Sequence, residues 1–229
     1  MIRTPSVDRI VAIADALQGL PEPILFVGAS VLGLLATESQ APIPRATEDV
    51  DIVALVADYS EHAALAERLR ARGFSEDSES RVICRWRFRG WMVDIMPPDP
   101  EILGFSNELY PSAIAHSSRV TIDGVPIDHI DAPHFIGTKL LAFDGRGHGD
   151  FIASHDIEDL LAVLNSRPET VQEFLTAPAE CRAIIHTRLG ALSRASDFEE
   201  ALEGHLANDT PGQATIVFER IRAILTSHP

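Results

Sequence analysis

Apolar residues recur at helical spacing over residues 6–18, where Val7, Ile10, Val11, Ala14 and Leu17 share one face and predict an amphipathic helix. Pro21 and Pro23 break the chain after it, and the apolar run Ile24-Leu25-Phe26-Val27 predicts a short buried strand ending at Gly28-Ala29-Ser30. Residues 31–36 should be helical again, with Ser30 near the N-cap. A polar loop holding Pro42 and Pro44 leads into a second strand over 50–56, and 60–72 reads as a helix closed by Gly73. Alternation over 80–88 and the run 91–96 predict a hairpin turning at Arg89-Gly90, which Pro97, Pro98 and Pro100 terminate. A less regular stretch follows, then a second hairpin over 119–127 with Asp123-Gly124 at its turn. From Ala132 the pattern is helical, in segments of roughly 132–143, 154–165, 168–176, 178–195, 197–207 and 211–226. The chain carries neither internal repeats nor low-complexity segments. The expected fold is α+β: a small mixed β-sheet with flanking helices over residues 1–130, then an all-helical part over 131–229.

Composition changes this picture little. At 229 residues, with 45% hydrophobic and 23% charged, the chain can bury a sizeable core as one large domain or two small ones. No apolar run reaches 18 residues, so no membrane-spanning helix is expected. Residues 1–19 carry Asp8 and Asp15 within the amphipathic pattern and are not built like a signal peptide. Cys84 and Cys181 lie outside any metal-ligand spacing and read as buried thiols in a reducing cytoplasm, the expected location. No Cys/His cluster has zinc spacing, and no Ser-His-Asp arrangement is implied.

Charge is more selective. A net charge of −15 argues against a broad nucleic-acid-binding surface, because affinity for phosphate backbones comes largely from Lys and Arg. Arg81, Arg85, Arg87 and Arg89 would share one face of the alternating strand, opposite Cys84, Trp86 and Phe88. That face could meet an anionic substrate, or simply be solvated.

The candidate chemistry is acidic. In Arg45-Ala46-Thr47-Glu48-Asp49-Val50-Asp51 an Asp-x-Asp pair runs straight into a strand, and extended backbone points both carboxylates the same way. Two carboxylates so close repel unless a cation lies between them, and hard oxygen ligands of this kind suit Mg²⁺ shared with substrate phosphates. The plain alternative is a solvated turn. Upstream, the small residues Gly28-Ala29-Ser30 would let a phosphate approach the backbone at a helix N-terminus, or serve packing alone. Downstream, Asp94 is the one charged residue of an otherwise apolar strand, where an acid is costly unless paired or liganded. If its strand lies beside that of Asp49 and Asp51, three carboxylates surround one cation site.

Taken in order, the Gly28-Ala29-Ser30 turn, Arg45-x-Thr47-x-Asp49-x-Asp51 and the lone Asp94 resemble the DNA polymerase β-type nucleotidyltransferase superfamily. The Arg-x-Thr-x-Asp-x-Asp form is most similar to the AbiEii-like toxins of type IV toxin–antitoxin systems and their relatives. Lys139-Leu140-Leu141-Ala142 resembles the family's lysine-bearing helix, and Asp156-Ile157-Glu158-Asp159 its D-x-x-D helix, so that the resemblance covers residues 24 to 165. It implies a nucleotidyltransferase-like core that moves a nucleoside monophosphate from an NTP to a hydroxyl of an RNA, protein or small-molecule acceptor. Asp49 and Asp51 would hold metals bridging the NTP phosphates, and Asp94 would complete the second of two Mg²⁺ sites and help activate the acceptor hydroxyl, with Mn²⁺ as an alternative ion. Gly28 and Ser30 would contact the triphosphate and Lys139 would neutralise it. Arg45, Thr47, Asp156 and Asp159 join the nucleotide-binding set. A toxin of this kind would act on RNA and be held by a cognate antitoxin.

The chain also departs from the family. Position 136, where a second lysine often stands, is Ile136; the lysine that often precedes D-x-x-D is His155; the usual glycine pair is Gly28-Ala29. These losses thin the positive charge available to phosphates. They favour the alternative of a non-catalytic nucleotide-binding protein, which the intact Asp49, Asp51 and Asp94 set opposes, while the acidity of the chain suits an aminoglycoside-type enzyme with a cationic acceptor. Asp156 and Asp159 could also be the wet face of a helix, and Arg45 and Thr47 could position the acidic loop instead of touching substrate. His148, between Gly147 and Gly149, reads as a helix connection or a substrate contact, while His129 and His134 read as structural.

Overall fold

Strand β1 (Ile24–Val27) runs antiparallel to β2 (Asp49–Ala54) and places Val27 opposite Asp51. The structure is a computed structural model and describes residues 1–38, 42, 44–146, 149–206 and 212–227. Two compact units make up the chain: Arg3–Gly33 with Arg45–Ile130, and Met1–Ile2 with Leu34–Pro44 and Asp131–Pro229. The first contains the sheet. Its further strands are β3 (Ser75–Glu76), β4 (Arg85–Phe88), β5 (Trp91–Met96), β6 (Ser118–Ile122) and β7 (Val125–His129), in spatial order β3-β4-β5-β2-β1-β7-β6. β2 is parallel to β5 and β1 to β7, whereas the remaining neighbours are antiparallel, so the sheet is mixed. Helices account for most of the second unit. The α+β expectation therefore holds.

Local rules explain the elements. Helix α1 (Pro5–Leu17) starts where Thr4 Oγ1 accepts from Val7 N and Pro5 needs no partner for a missing N–H. It buries Val7, Ile10, Ile13, Ala14 and Leu17 against β2 and β7, each contributing about 1–3 kcal/mol. Ile13 takes the core position expected of Val11, since a face built on 3.6-residue turns drifts past residue 11. The central strand β1 is buried on both faces and so reads as an unbroken apolar run, while β7 alternates. Both hairpins turn where expected, with Arg89-Gly90 and Asp123-Gly124 all at positive φ, as a two-residue hairpin turn requires.

One expectation needs correcting. The strand predicted from residue 80 begins only at Arg85. Ser80 N donates to Asp77 O, Arg85 N to Val82 O and Val82 N to Ser80 Oγ, so local turns take the backbone groups that a ladder would use. Arg81 thus lies outside the strand and Arg89 in the turn, which dissolves the four-arginine face. Helix α2 (Leu32–Leu35) follows a 3₁₀ turn at Ala29–Val31, α3 (Tyr59–Ala71) is capped by Asp58, and α4 (Pro100–Leu103) and α5 (Tyr110–Ala115) occupy the stretch read as irregular.

In the second unit α6 (Ala132–Arg146), α7 (His155–Ser166), α8 (Thr170–Thr176), α9 (Ala179–Leu192), α10 (Phe198–His205) and α11 (Gln213–Thr226) follow the predicted segments within a few residues. Leu34–Pro44 belongs here because Thr37 N and Glu38 N donate to Ser166 O, and Arg167 Nη1 donates to Leu35 O at 2.7 Å. His148 and Gly147, and the predicted helix edges at 207 and 211, lie outside the described residues. No described helix is long and apolar enough to cross a membrane.

Candidate active site

The register of two strands assembles the acidic site. β2 and β5 run parallel with Asp51 beside Asp94 and Asp49 beside Met92, so Asp49, Asp51 and Asp94 emerge on one sheet face. Their carboxylate ligand atoms lie within 4.8 Å of one another. Asp94 is 6% exposed, and Asp49 and Asp51 are half-buried. Like charges about 4 Å apart repel by about 4 kcal/mol per pair at an effective dielectric of about 20. Such a cluster needs positive charge. An all-oxygen donor set of this density fits Mg²⁺ or Mn²⁺, hard cations that also take phosphate oxygens.

Neighbouring groups hold the acids. Thr47 is buried, and its hydroxyl donates to Asp49 Oδ1 at 2.9 Å, while Arg9 of α1 donates to the carbonyls of Thr47 and Glu48. Thr47 thereby orients the Asp49 carboxylate, and Arg45 lies half-buried two residues upstream. Gly28 sits where β1 ends, at φ +67° and ψ −169°, a region essentially confined to glycine. A Cβ there would meet Asp51 Oδ2 at 2.0 Å. The turn is small because a carboxylate lies against it. Gly28→Ala is therefore expected to cost about 1–3 kcal/mol from backbone strain alone and to push Asp51 out of the cluster; thermal melts together with Mn²⁺ titration would record both losses.

Ser30 departs from expectation. It lies inside the 3₁₀ turn instead of capping a helix, is buried, and donates its hydroxyl to Val27 O at 3.2 Å. With Gly28 at the cap position and α2 only one turn long, its side chain serves the turn.

Arg85 belongs to this site, and sequence reasoning missed it. From β4 its Nε donates to Asp94 Oδ1 and its Nη2 to Asp94 Oδ2, both at 2.7 Å, while Nη2 also donates to Asp49 Oδ2 at 3.0 Å. Asp94, followed by burial and Asp49, shapes its charge balance: the carboxylates raise the guanidinium pKa further above its ordinary value. The signal was present. A two-residue turn at Arg89-Gly90 pairs Phe88 with Trp91 and hence Arg85 with Asp94. Arg87, by contrast, pairs outward with Asp77.

Cys84 neighbours Arg85 in sequence but is buried, and burial together with the Asp94 charge pushes its thiol up to about 12. Burial, then Asp131, does the same to Cys181. Both thiols should remain protonated below that pH. Native protein is expected to resist iodoacetamide at pH 8, with mass-detected alkylation of both cysteines only after unfolding.

The other predicted residues form a separate cluster in the helical unit. Lys139 Nζ on α6 meets Asp156 Oδ1 at 3.2 Å and Asp159 Oδ2 at 2.7 Å on α7, and lies 5.6 Å from the centre of the Phe135 ring. All three charged side chains are buried. The wet-face reading of Asp156 and Asp159 is thereby overturned: their faces point into the packing of α6 on α7. His134 is buried and shares Asp131 Oδ1 between its backbone N and Nδ1, and His129 Nδ1 contacts Ile130 O. Both rings are buried against local backbone and side-chain groups.

No protein-family model matches this chain, and no curated protein sequence does. Among solved structures, an antigenic nucleotidyltransferase-like protein from Paracoccidioides brasiliensis matches with a TM-score of 0.50 at 17% identity, over 89% of this chain and 94% of its own. Two structures of ANT(2″)-Ia match with lower scores: the solution structure of this antibiotic-resistance factor, at 0.47 and 16% identity over 82% of this chain and 93% of its own, and its crystal structure in complex with adenylyl-2″-tobramycin, at 0.48 and 15% identity over 82% and 99%. The chain has a nucleotidyltransferase-like fold.

Proposed function

We propose that the protein is a Mg²⁺-dependent nucleotidyltransferase, in which an acceptor hydroxyl oxygen attacks the α-phosphorus of an NTP and pyrophosphate leaves. The observation that carries this reading is the convergence of Asp49, Asp51 and Asp94 on one sheet face of a nucleotidyltransferase-like fold. Divalent cations held there would supply the positive charge that offsets the triphosphate and stabilises an in-line displacement. Asp49 and Asp51 would hold the first cation, and Asp94 would complete the second site. Thr47 fixes Asp49, Arg45 steadies the loop, and Gly28 leaves room for Asp51 and for phosphate at the end of β1. Ser30 shapes the same turn. The protein's work is charge placement and alignment rather than covalent chemistry. Lys139, Asp156 and Asp159 retain a proposed nucleotide-binding role, with its own test below.

The acceptor reading follows from charge. At −15 the protein suits a cationic small molecule better than an RNA. An AbiEii-like toxin with an antitoxin partner is the second reading, supported by the Arg45-x-Thr47-x-Asp49-x-Asp51 motif. A third, nucleotide binding without turnover, draws on Ile136 and His155 and on basic groups already committed to carboxylates. Incubation with α-labelled NTPs, Mg²⁺ and separate pools of aminoglycosides, total RNA and protein tells them apart. Label on the aminoglycoside pool supports the first and label on RNA the second. Retention of NTP by the protein with no labelled product in any pool would overturn the enzyme.

A further inference from the structure

We infer that Arg85 is the site's own counterion and that a divalent cation bridging Asp49 and Asp94 binds only by displacing it. The inference rests on the cation site proposed above and deepens it. Arg85 Nη2 bridges Asp49 Oδ2 and Asp94 Oδ2 at 3.0 and 2.7 Å. Both Asp94 oxygens accept from Arg85, and the Asp49 oxygens accept from Thr47 and Arg85, so a cation shared by the two residues, at a reach of roughly 2.0–2.6 Å, must take a position on Asp94 that Arg85 already holds. A guanidinium nitrogen and a metal ion cannot occupy that position together.

The contact is built rather than incidental. Arg85 faces Asp94 in strict cross-strand register, its fork takes both carboxylate oxygens, and Nη1 reaches Met92 Sδ at 3.3 Å on the same face. Two-pronged charge-assisted pairs of this kind are the strong ones, and arginine cannot escape by deprotonation. The side chains are only 16% and 8% exposed, so water screens the contact weakly. Arg85 consequently satisfies Asp94 when no cation is bound and sets a threshold cation concentration for completing the site. It is a positioning residue, acting through Asp49 and Asp94.

Competition predicts that removing the guanidinium tightens cation binding. With unit charges a few ångströms apart, loss of the repulsion and of the competing hydrogen bonds is expected to strengthen Mn²⁺ affinity by roughly tenfold to a hundredfold. The test titrates Mn²⁺ alone into wild type, Arg85→Met and Arg85→Lys, reading free Mn²⁺ by electron paramagnetic resonance and melting temperature in parallel. The expected order of affinity is Met over Lys over wild type, with the cation-free methionine variant less stable and more strongly raised by Mn²⁺. Lysine keeps the charge but loses the fork, and it carries the test if the methionine variant does not fold. Variants that bind Mn²⁺ no more tightly than wild type overturn the inference and leave the cation site standing. If neither wild type nor variants bind Mn²⁺, the proposed site itself falls.

Discussion

Replacing Asp49 and Asp51 together by asparagine is expected to lower nucleotidyl transfer by roughly a thousandfold or more, a loss of about 4 kcal/mol of transition-state stabilisation. Asparagine keeps the shape and one acceptor oxygen, so Thr47 can still donate to residue 49, yet it removes two of the three negative charges that would hold cations. Stability should behave differently. Three carboxylates within 4.8 Å oppose one another, and Arg85 bridges two of them. The double variant should melt at or above the wild-type temperature. Pyrophosphate release and thermal melts on the same preparations check the pair of outcomes. A variant that transfers label at a tenth of the wild-type rate would remove these residues from the reaction.

The second large effect concerns Lys139. Arg85 stands at a partly open cluster, whereas Lys139 is enclosed with Asp156 and Asp159, the latter fully buried. Lys139→Met leaves two buried carboxylates without their shared cation. Breaking such a group by removing one partner costs about 4 kcal/mol, or roughly 8–16 °C in melting temperature for a chain of this size. Adding Asp156→Leu and Asp159→Leu should recover most of the loss, because apolar residues of similar volume replace a buried ion cluster without an unpaired charge. Calorimetry of the single and triple variants measures this. The triple variant also tests the nucleotide role: transfer at the wild-type rate would assign Lys139 to structure alone, and inactivity in a stable protein would keep it in the mechanism.

Particular residues explain how much was legible. The Asp49–Asp51 pair was readable because extended backbone repeats every two residues, so any strand there puts both carboxylates on one face. Asp94 was readable as an anomaly, a charge within Trp91–Met96, although its partner strand was not. Arg85 was legible in principle through the Arg89-Gly90 turn, yet the alternation of residues 81–89 suggested a continuous strand, and local turns over 77–84 shortened it. Lys139, Asp156 and Asp159 carried an ambiguous pattern. Three polar residues spaced along two helices look the same whether they face water or one another, and only the packing of α6 on α7 distinguishes the cases.

By itself the sequence determined the alternation of elements, the two hairpin turns, the α+β class and the acidic character of the site. Each of these depends on neighbours a few residues apart, through backbone periodicity, turn geometry and side-chain spacing. The tertiary structure alone decided that β2 lies parallel to β5 with Asp51 beside Asp94, that Gly28 yields its Cβ space to Asp51, and that Arg85 reaches across to Asp49. These are contacts between strands distant in the chain. Their register is set by burying Val50, Ile52, Val93 and Ile95 together, an interaction without a local signature.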